Sequence, residues 1–439
     1  MKRRVAFLTL GCKTNQYDTA VMTAAFKERG YEIVDFGDPA DVYVINTCAV
    51  TARSQAKSRQ AVRRARRANP SAVVAVAGCY PQVAPGEVEA LEGVDVVTGA
   101  SGRGQLPRYV EEVMASGRPV SCVDRIWSCR EFEEGESSVF HGRTRAFLKI
   151  EDGCEHFCSY CIVPFARGPV RSRPVESILE ETRRLAAEGF KEIVLTGIHL
   201  GEYGKDLVGS GLNLARILER VCEVDGIERV RLSSVEPGDI TEELIQAVLR
   251  PNVCPHLHVP LQSGSDRILL AMNRGYSRAE YVALAGRLKR AIPGLGLTTD
   301  VMVGFPGETQ EDFGQTCDIV EEVGFSRLHV FPFSPRKGTA AERMGGQISR
   351  AVKEQRARSL ITIGRGLSRA FHERLVGTRV SVLIEENAGG GRGPLEGLTG
   401  NYVRVWLNGP SHLKGSLVDV EVTGADSEGV KGVLLANGG

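Results

Sequence analysis

The stretch Ala146–Arg173, AFLKIEDGCEHFCSYCIVPFARGPVRSR, decides how this chain is read. Its first six residues, Ala146–Glu151, have the composition of a strand, and the loop that follows carries Cys154, Cys158 and Cys161. With eleven cysteines in 439 residues, a C-x3-C-x2-C array arises by chance only ~0.007 times, so the spacing is itself a signal. A closed structural zinc site wants four ligands; His156 could be the fourth, but it lies inside the cysteine loop, where its geometry is awkward. Three thiolates on a [4Fe–4S] cube instead leave one iron without a protein ligand.

Working outward, strand candidates Ala146–Glu151, Glu192–Thr196, Val230–Ser233, Leu257–Leu261, Leu297–Gly304 and Leu328–Phe333 alternate with helix-like segments. Six βα units predict a partial (β/α)6 barrel, which with a following helix over about Ser349–Arg374 makes a domain of residues 146–374. Residues 1–121 hold the short runs Arg4–Leu10, Glu32–Asp35, Asp41–Asn46, Ala72–Ala77 and Val94–Val97, separated by helix-like segments such as Thr19–Arg29 and Thr51–Arg67. That alternation predicts an α/β domain with a doubly wound parallel sheet. Residues 122–145 are irregular and charge-mixed, as a linker is. In 375–439, Arg379–Ile384, Tyr402–Leu407 and Leu417–Val422 alternate around a glycine-rich loop at Gly389–Gly393, which predicts a small β-barrel module.

A second cysteine triplet is dispersed. Cys12, Cys48 and Cys79 each end a predicted strand, in LTLGC, VINTC and VAVAGC. The carboxyl ends of a parallel sheet share one edge, so three thiols more than thirty residues apart can converge there; the bland alternative is three buried packing cysteines. Cys122, Cys129, Cys222, Cys254 and Cys317 show no such spacing and read as core or solvent thiols. The net charge of +1 gives the whole molecule no general attraction for nucleic acid, so any such role needs local patches. The apolar run Val5–Leu10 is shorter than a signal-peptide core, and no run approaches the ~18 residues of a membrane span. A cytoplasmic protein with no membrane partner is expected, in a reducing compartment where thiols serve as ligands, nucleophiles or core.

The segments LGCKTNQYDT, NTCAVT, AGCYPQ, CSYCIVPFARGPVRSR, EIVLTGIHLGEYGKD, RLSSVEP, HLHVPLQSGSD, TTDVMVGFPGE and HVFPFSPRKGTAAE resemble those of the radical-SAM methylthiotransferases over essentially the full length. Lys13, Asn15 and HVFPFSPRKGTAA look most like the bacterial tRNA N6-threonylcarbamoyladenosine branch, less like the isopentenyladenosine or ribosomal-protein branches. The resemblance implies an N-terminal cluster domain, a radical-SAM barrel and a C-terminal TRAM-like RNA-binding module. It implies two [4Fe–4S] clusters, on Cys12, Cys48 and Cys79 and on Cys154, Cys158 and Cys161, the second binding S-adenosylmethionine. One S-adenosylmethionine would donate a methyl group and another a radical that takes hydrogen from C2 of the adenine beside the anticodon. The partners would be the tRNA anticodon stem-loop, an unidentified electron donor and a sulfur source. A non-catalytic, zinc-stabilised RNA-binding protein is the competing reading of another class.

Other residues follow from the resemblance and the barrel geometry. Tyr160 precedes the last cysteine; Thr196 and Gly197 end the second barrel strand, Ser233 and Glu236 the third, and Gln262 and Ser263 the fourth, the face where barrels bind ligands. All are expected near S-adenosylmethionine, although Gly197 also suits a tight turn. Glu155-His156 departs from the Asn-rich loop expected there, and the glycines of Gly304–Glu308 are weak evidence for phosphate binding. For RNA, the helix-like Arg53–Arg67 carries seven Lys/Arg and no acid, with Arg59, Arg63 and Arg66 on one face. Arg167, Arg171 and Arg173 are expected to flank the reacting base. From Thr378 onward five Lys/Arg face seven Asp/Glu, a net of −2, so the terminal module would bind RNA weakly or by stacking through residues such as Tyr402.

Overall fold

Runs that are apolar at nearly every position suit strands buried on both faces. Runs of this kind make the centre of the six-stranded N-terminal sheet in the computed structural model, which describes residues 2–135, 144–386 and 395–435, and the edge strands are half-exposed. The strands of the sheet are β1 (Arg4–Thr9), β2 (Glu32–Val34), β3 (Val42–Thr47), β4 (Val73–Gly78), β5 (Val96–Thr98) and β6 (Val120–Cys122). All pair in parallel, in the order β2-β1-β3-β4-β5-β6. Helices cover both faces: α1 (Lys13–Glu28) and α3 (Leu106–Ser116) contribute to one apolar cluster, α2 (Ala52–Ala68) to the other. This is the doubly wound sheet expected, with β1 and β3 at the point where the strand order reverses.

The expectation for α1 began at Thr19, six residues late. Its first turns bury Thr14, Asn15, Tyr17 and Asp18, the last three paired across a domain interface, so no amphipathic stripe marks the helix start. Of the expected linker 122–145, Cys122 ends β6, residues 136–143 lie outside the described residues, and 123–135 is packed: Ile126 and Phe132 are buried, and Trp127 stacks on Phe157 at 5.5 Å.

Six parallel strands then build the central domain: β7 (Arg145–Lys149), β8 (Glu192–Thr196), β9 (Arg229–Leu232), β10 (His256–His258), β11 (Gly296–Val303) and β12 (Arg327–Pro332). They form two three-stranded sheets, β9-β8-β7 and β10-β11-β12, linked by the parallel bridges Val230–Val253 and Ser234–His258 into one arc. Each strand starts within one residue of its expected start. The arc's core extends into α1 through Tyr17, Ala20 and Val21, so the two domains share packing. The long helix α4 (Arg350–Glu373) closes the domain.

The C-terminal strands β13 (Arg379–Glu386), β14 (Leu395–Thr399), β15 (Arg404–Leu407), β16 (Leu417–Ala425) and β17 (Val430–Leu434) close a barrel in the order β13-β14-β15-β17-β16. The glycine-rich Gly389–Gly393 lies outside the described residues. This barrel sits under the amino ends of the central strands, where Arg229 and Arg231 donate to the carbonyls of Leu398, Ser381, Gly400 and Thr399. Tyr402, at φ 69°, inserts its ring between Arg145 and Arg231 and stacks on His256 at 4.6 Å. It is therefore an internal plug, and the expectation that it stacks on RNA is corrected. Among the described residues no helix is long and apolar enough to cross a membrane.

Candidate active site: two cysteine triplets at a domain interface

Cys12 caps α1 just beyond β1, Cys48 follows β3 directly, and Cys79 follows β4 directly. These three strands are neighbours, so the thiols meet at the strand-order reversal, where α/β sheets bind ligands. Gly78 makes the approach possible: at φ 96° a Cβ there would lie 2.4 Å from Asn46 Oδ1. Asn15 anchors the group. Its amide donates to the carbonyls of Leu10 and Thr47, both at 2.9 Å, and its Oδ1 lies 3.6 Å from Cys12 Sγ and 4.0 Å from Cys79 Sγ. Burial pushes the Cys48 thiol up and Cys79 to about 12, with the Arg167 guanidinium pulling the other way on both.

The second triplet is folded by its own loop. The Cys154 amide donates to Gly168 O at 3.0 Å, and the Ser159 hydroxyl ties the loop to Ala271 O at 2.8 Å. Cys154 Sγ lies 3.6 Å from His199 Nδ1, Cys158 accepts from Arg274 at 3.4 Å, and Cys161 from the Val163 amide at 3.4 Å. Burial raises Cys154 and takes Cys161 to about 12, and the neighbouring thiols add to both shifts. His156 turns to Glu202 at 3.4 Å; against the burial that would raise it, bonds from His156 and Lys205 bring Glu202 to about 2. All eleven cysteines are free. Two sets of three clustered, unbridged thiols are a donor set that a soft, multiply charged iron–sulfur group satisfies.

Arg167 stands at the interface between them. It is 1% exposed; its Nε donates to Cys79 Sγ at 3.3 Å, Nη1 to Asp18 at 2.8 Å and to Asp152 at 3.3 Å, and Nη2 to Asn15 Oδ1 at 2.6 Å. Arg103 and Lys149 also bind Asp18 and Asp152. Arg171 lies 3.5 Å from Asp152, and Arg173 pairs with Glu181 and accepts no solvent role, being 4% exposed. The expectation that Arg167, Arg171 and Arg173 touch RNA is corrected: charges in a low-dielectric interior must be paired, and these are. Sequence reasoning missed Asp18, Lys149, Asp152 and Arg103. The available signal was Lys149, Glu151 and Asp152 at the end of an otherwise apolar strand.

Of the residues expected at the ligand face, Thr196, Ser233 and Glu236 lie at strand ends around the cysteine loop. Glu236 pairs with Arg274, which also binds Cys158, and Tyr160 packs beside Met302 and Phe305. Gly197 admits Glu151, because a Cβ there would lie 2.4 Å from Glu151 Oε2. Gln262 sits at φ 63°, held by backbone bonds to β11. Ser263 is corrected: fully buried, its hydroxyl accepts from the Ser265 amide at 3.2 Å and lies 3.5 Å from Thr316, on the helix Gln310–Val323, away from the site. Two buried atoms here, Glu151 Oε1 and Ser233 Oγ, lack hydrogen-bond partners among the described residues, and Glu202 Oε2 has only the ion-pair contact with His199 Nδ1 at 3.5 Å. Native interiors seldom leave such groups orphaned, so they fit a polar ligand such as the amino acid end of S-adenosylmethionine.

On α2, Arg63 is exposed, while Arg59 is half-buried with its guanidinium 3.4 Å from the Tyr80 hydroxyl. Arg66 is corrected. It binds Asp95 at 2.6 Å and the carbonyls of Gly93, Pro70 and Ala72, and so it locks α2 onto the sheet at the end remote from the cysteines. Arg53 and Lys57 are exposed nearer the cysteine edge.

A parallel β/α arc with C-x3-C-x2-C after its first strand defines a radical-SAM protein. A family model described as "Radical SAM superfamily" matches residues 148–320, and one described as "Uncharacterized protein family UPF0004" matches residues 4–99. The chain is 42% identical to the threonylcarbamoyladenosine tRNA methylthiotransferase MtaB of Bacillus subtilis, over 95% of this chain and 93% of that protein. It is 38% identical to the tRNA-2-methylthio-N(6)-dimethylallyladenosine synthase of Moorella thermoacetica, over 99% of each. The radical S-adenosylmethionine methyltransferase TsrM of Kitasatospora setae shares the fold, with a TM-score of 0.58 at 18% identity over 78% of this chain and 77% of that one. The chain belongs to the methylthiotransferases of the radical-SAM superfamily.

Proposed function

We propose that this protein inserts a methylthio group at C2 of N6-threonylcarbamoyladenosine beside the anticodon of tRNA. In this reading Cys154, Cys158 and Cys161 hold a [4Fe–4S] cluster that binds S-adenosylmethionine, and Cys12, Cys48 and Cys79 hold a second cluster. When bound, these groups supply the one-electron chemistry that activates the C2–H bond, together with the transferred sulfur; an external electron donor and a sulfur source are required. The protein's own residues do the positioning. Arg167 touches Cys79 and, six residues after Cys161, ties the N-terminal thiols to the loop of the central triplet. Arg274 holds Cys158 and Glu236 together, and Glu151 and Ser233 offer unpaired polar atoms for the amino acid end of S-adenosylmethionine. Burying the base between the two triplets excludes water from a reactive site. The exposed Arg53, Lys57 and Arg63 on α2 are candidates for phosphate contacts that position the anticodon loop in the cytoplasm's tRNA pool.

The observation that carries this reading is the convergence of two thiol triplets on one interface, in a chain that matches a threonylcarbamoyladenosine enzyme over nearly its whole length. The test is anaerobic turnover, with nucleoside mass spectrometry, on tRNA carrying either threonylcarbamoyladenosine or isopentenyladenosine. Methylthiolation of the first alone is expected. Equal turnover of the second would move the protein to the sister branch.

A further inference from the structure

We infer that Lys13 is the specificity-determining residue of the substrate site, a half-buried cation that binds the carboxylate of the modified base's N6 substituent. This rests on the substrate proposed above and names the group that selects it.

Lys13 follows Cys12 and is only partly exposed. Its electrostatic neighbours are Tyr402, Arg145, Arg231 and Glu192, and it also acts on His256. Lys13 thus lies within electrostatic range of the arginines that flank the Tyr402 ring and of His256, on which that ring stacks. The charges already there are largely matched. Arg145 pairs with Glu385 at 2.5 Å, Arg231 with Glu192 at 2.7 Å, and Asp300 with His258 and His329 at 3.2 and 3.3 Å. Arg229 shares Glu192 at 3.7 Å. Three arginines thus share two carboxylates, and Lys13 adds a cation with no hydrogen-bond or ion-pair partner among the described residues.

An unmatched cation inside a protein is costly unless a ligand supplies the opposite charge. The excess in the lumen of the central arc is positive, so the complementary ligand group is an anion. The substrate's geometry agrees. C2 and C6 are meta on the six-membered ring of adenine, so a base that presents C2 to the thiol-bearing strand ends projects its N6 substituent away from them, down the lumen. A threonylcarbamoyl group ends in a carboxylate, and an isopentenyl group is neutral. The lysine selects the first by pairing and disfavours the second by being left half-buried and unpaired, the asymmetry by which polar sites reject ligands lacking the matching group.

The test compares holoenzyme, K13Q and K13R on two substrates: tRNA carrying threonylcarbamoyladenosine, and the same tRNA with the threonyl carboxylate converted to its methyl ester. Binding and KM are read for each, with iron content and 5′-deoxyadenosine release followed in parallel. The wild type should favour the acid. K13Q should lose roughly 10- to 100-fold on the acid, the size of a charge-assisted bond, and little on the ester, with K13R intermediate. If K13Q weakens acid and ester equally, or lowers iron content, Lys13 serves the fold or the thiol site and the inference is overturned. If K13Q still prefers the acid, another group reads the carboxylate. If the wild type acts on isopentenyladenosine tRNA instead, the proposed function itself has failed.

Discussion

Arg167→Met separates a positioning role from an RNA-binding one. The guanidinium makes four contacts in the interior, with Cys79, Asp18, Asp152 and Asn15. Removing one member of a buried ionic network costs about 3–5 kcal/mol, because the partners left behind stay desolvated. Here the loss lies near 3, since Asp18 keeps Arg103 at 3.0 Å and Lys149 at 2.9 Å, and Asp152 keeps Lys149 at 2.6 Å. At about 1.4 kcal/mol per decade, that is roughly a hundred-fold in the opening of the interface. Hydrogen exchange read by mass spectrometry should therefore show amides of α1 exchanging roughly a hundred-fold faster, with the C-terminal barrel unchanged. Iron in the reconstituted protein should fall from about eight to about four per chain, because Asn15 and Cys79 lose their anchor while Cys154, Cys158 and Cys161 do not. Arg167→Lys keeps the charge but cannot reach all these partners at once, so an intermediate result is expected. Wild-type exchange and iron, together with weaker tRNA binding and a salt slope reduced by about 0.8, would put Arg167 at the surface and refute the reasoning.

Replacing Cys154, Cys158 and Cys161 with Ala should abolish 5′-deoxyadenosine formation, whereas replacing Cys12, Cys48 and Cys79 should spare it and abolish methylthio transfer; a second variant that still modifies tRNA would overturn the division of labour. Arg53, Lys57 and Arg63 together to Gln should flatten the salt dependence of tRNA binding by about two units at unchanged iron content. Arg66→Gln should instead destabilise the N-terminal domain and leave that slope alone, because its guanidinium is already spent on Asp95 and three carbonyls. Against burial, Arg103, Lys149 and Arg167 hold the Asp18 carboxyl below its ordinary value. Its folded pKa is thus lower than the unfolded one near 3.9, so its contribution to domain docking is full above about pH 4 and is lost as pH falls through the folded value. Urea unfolding between pH 7 and pH 3 should show a steeper loss for wild type than for Asp18→Asn.

The six central strands and the two triplets were legible because their signals are local: strand composition, cysteine spacing, and a small residue before a thiol at a strand end. The arginines were not, and the reason is physical. A basic residue declares its charge in the sequence but not its partner, and these partners lie far along the chain. Asp18 is 149 residues from Arg167, and Asp95 is 29 from Arg66. Arg59–Arg67 lacks acids in its own stretch, yet one end of it is neutralised by a strand it packs against. Polar burial hid α1 for the same reason, since a helix whose first turns face an ionic interface has no apolar stripe to count. Tyr402 shows the converse. Aromatic and lying in a net-acidic module, it invited a stacking role on RNA, but its left-handed backbone and the arginines beside it turn it inward as the floor of the lumen. The terminal barrel is thereby more than an appended binding module: through Tyr402 and the carbonyls that receive Arg229 and Arg231, it fixes the cations that surround Lys13. Substrate choice in this fold is then set jointly by three domains, one supplying the lysine, one the walls and one the floor, and no single stretch of sequence carries it.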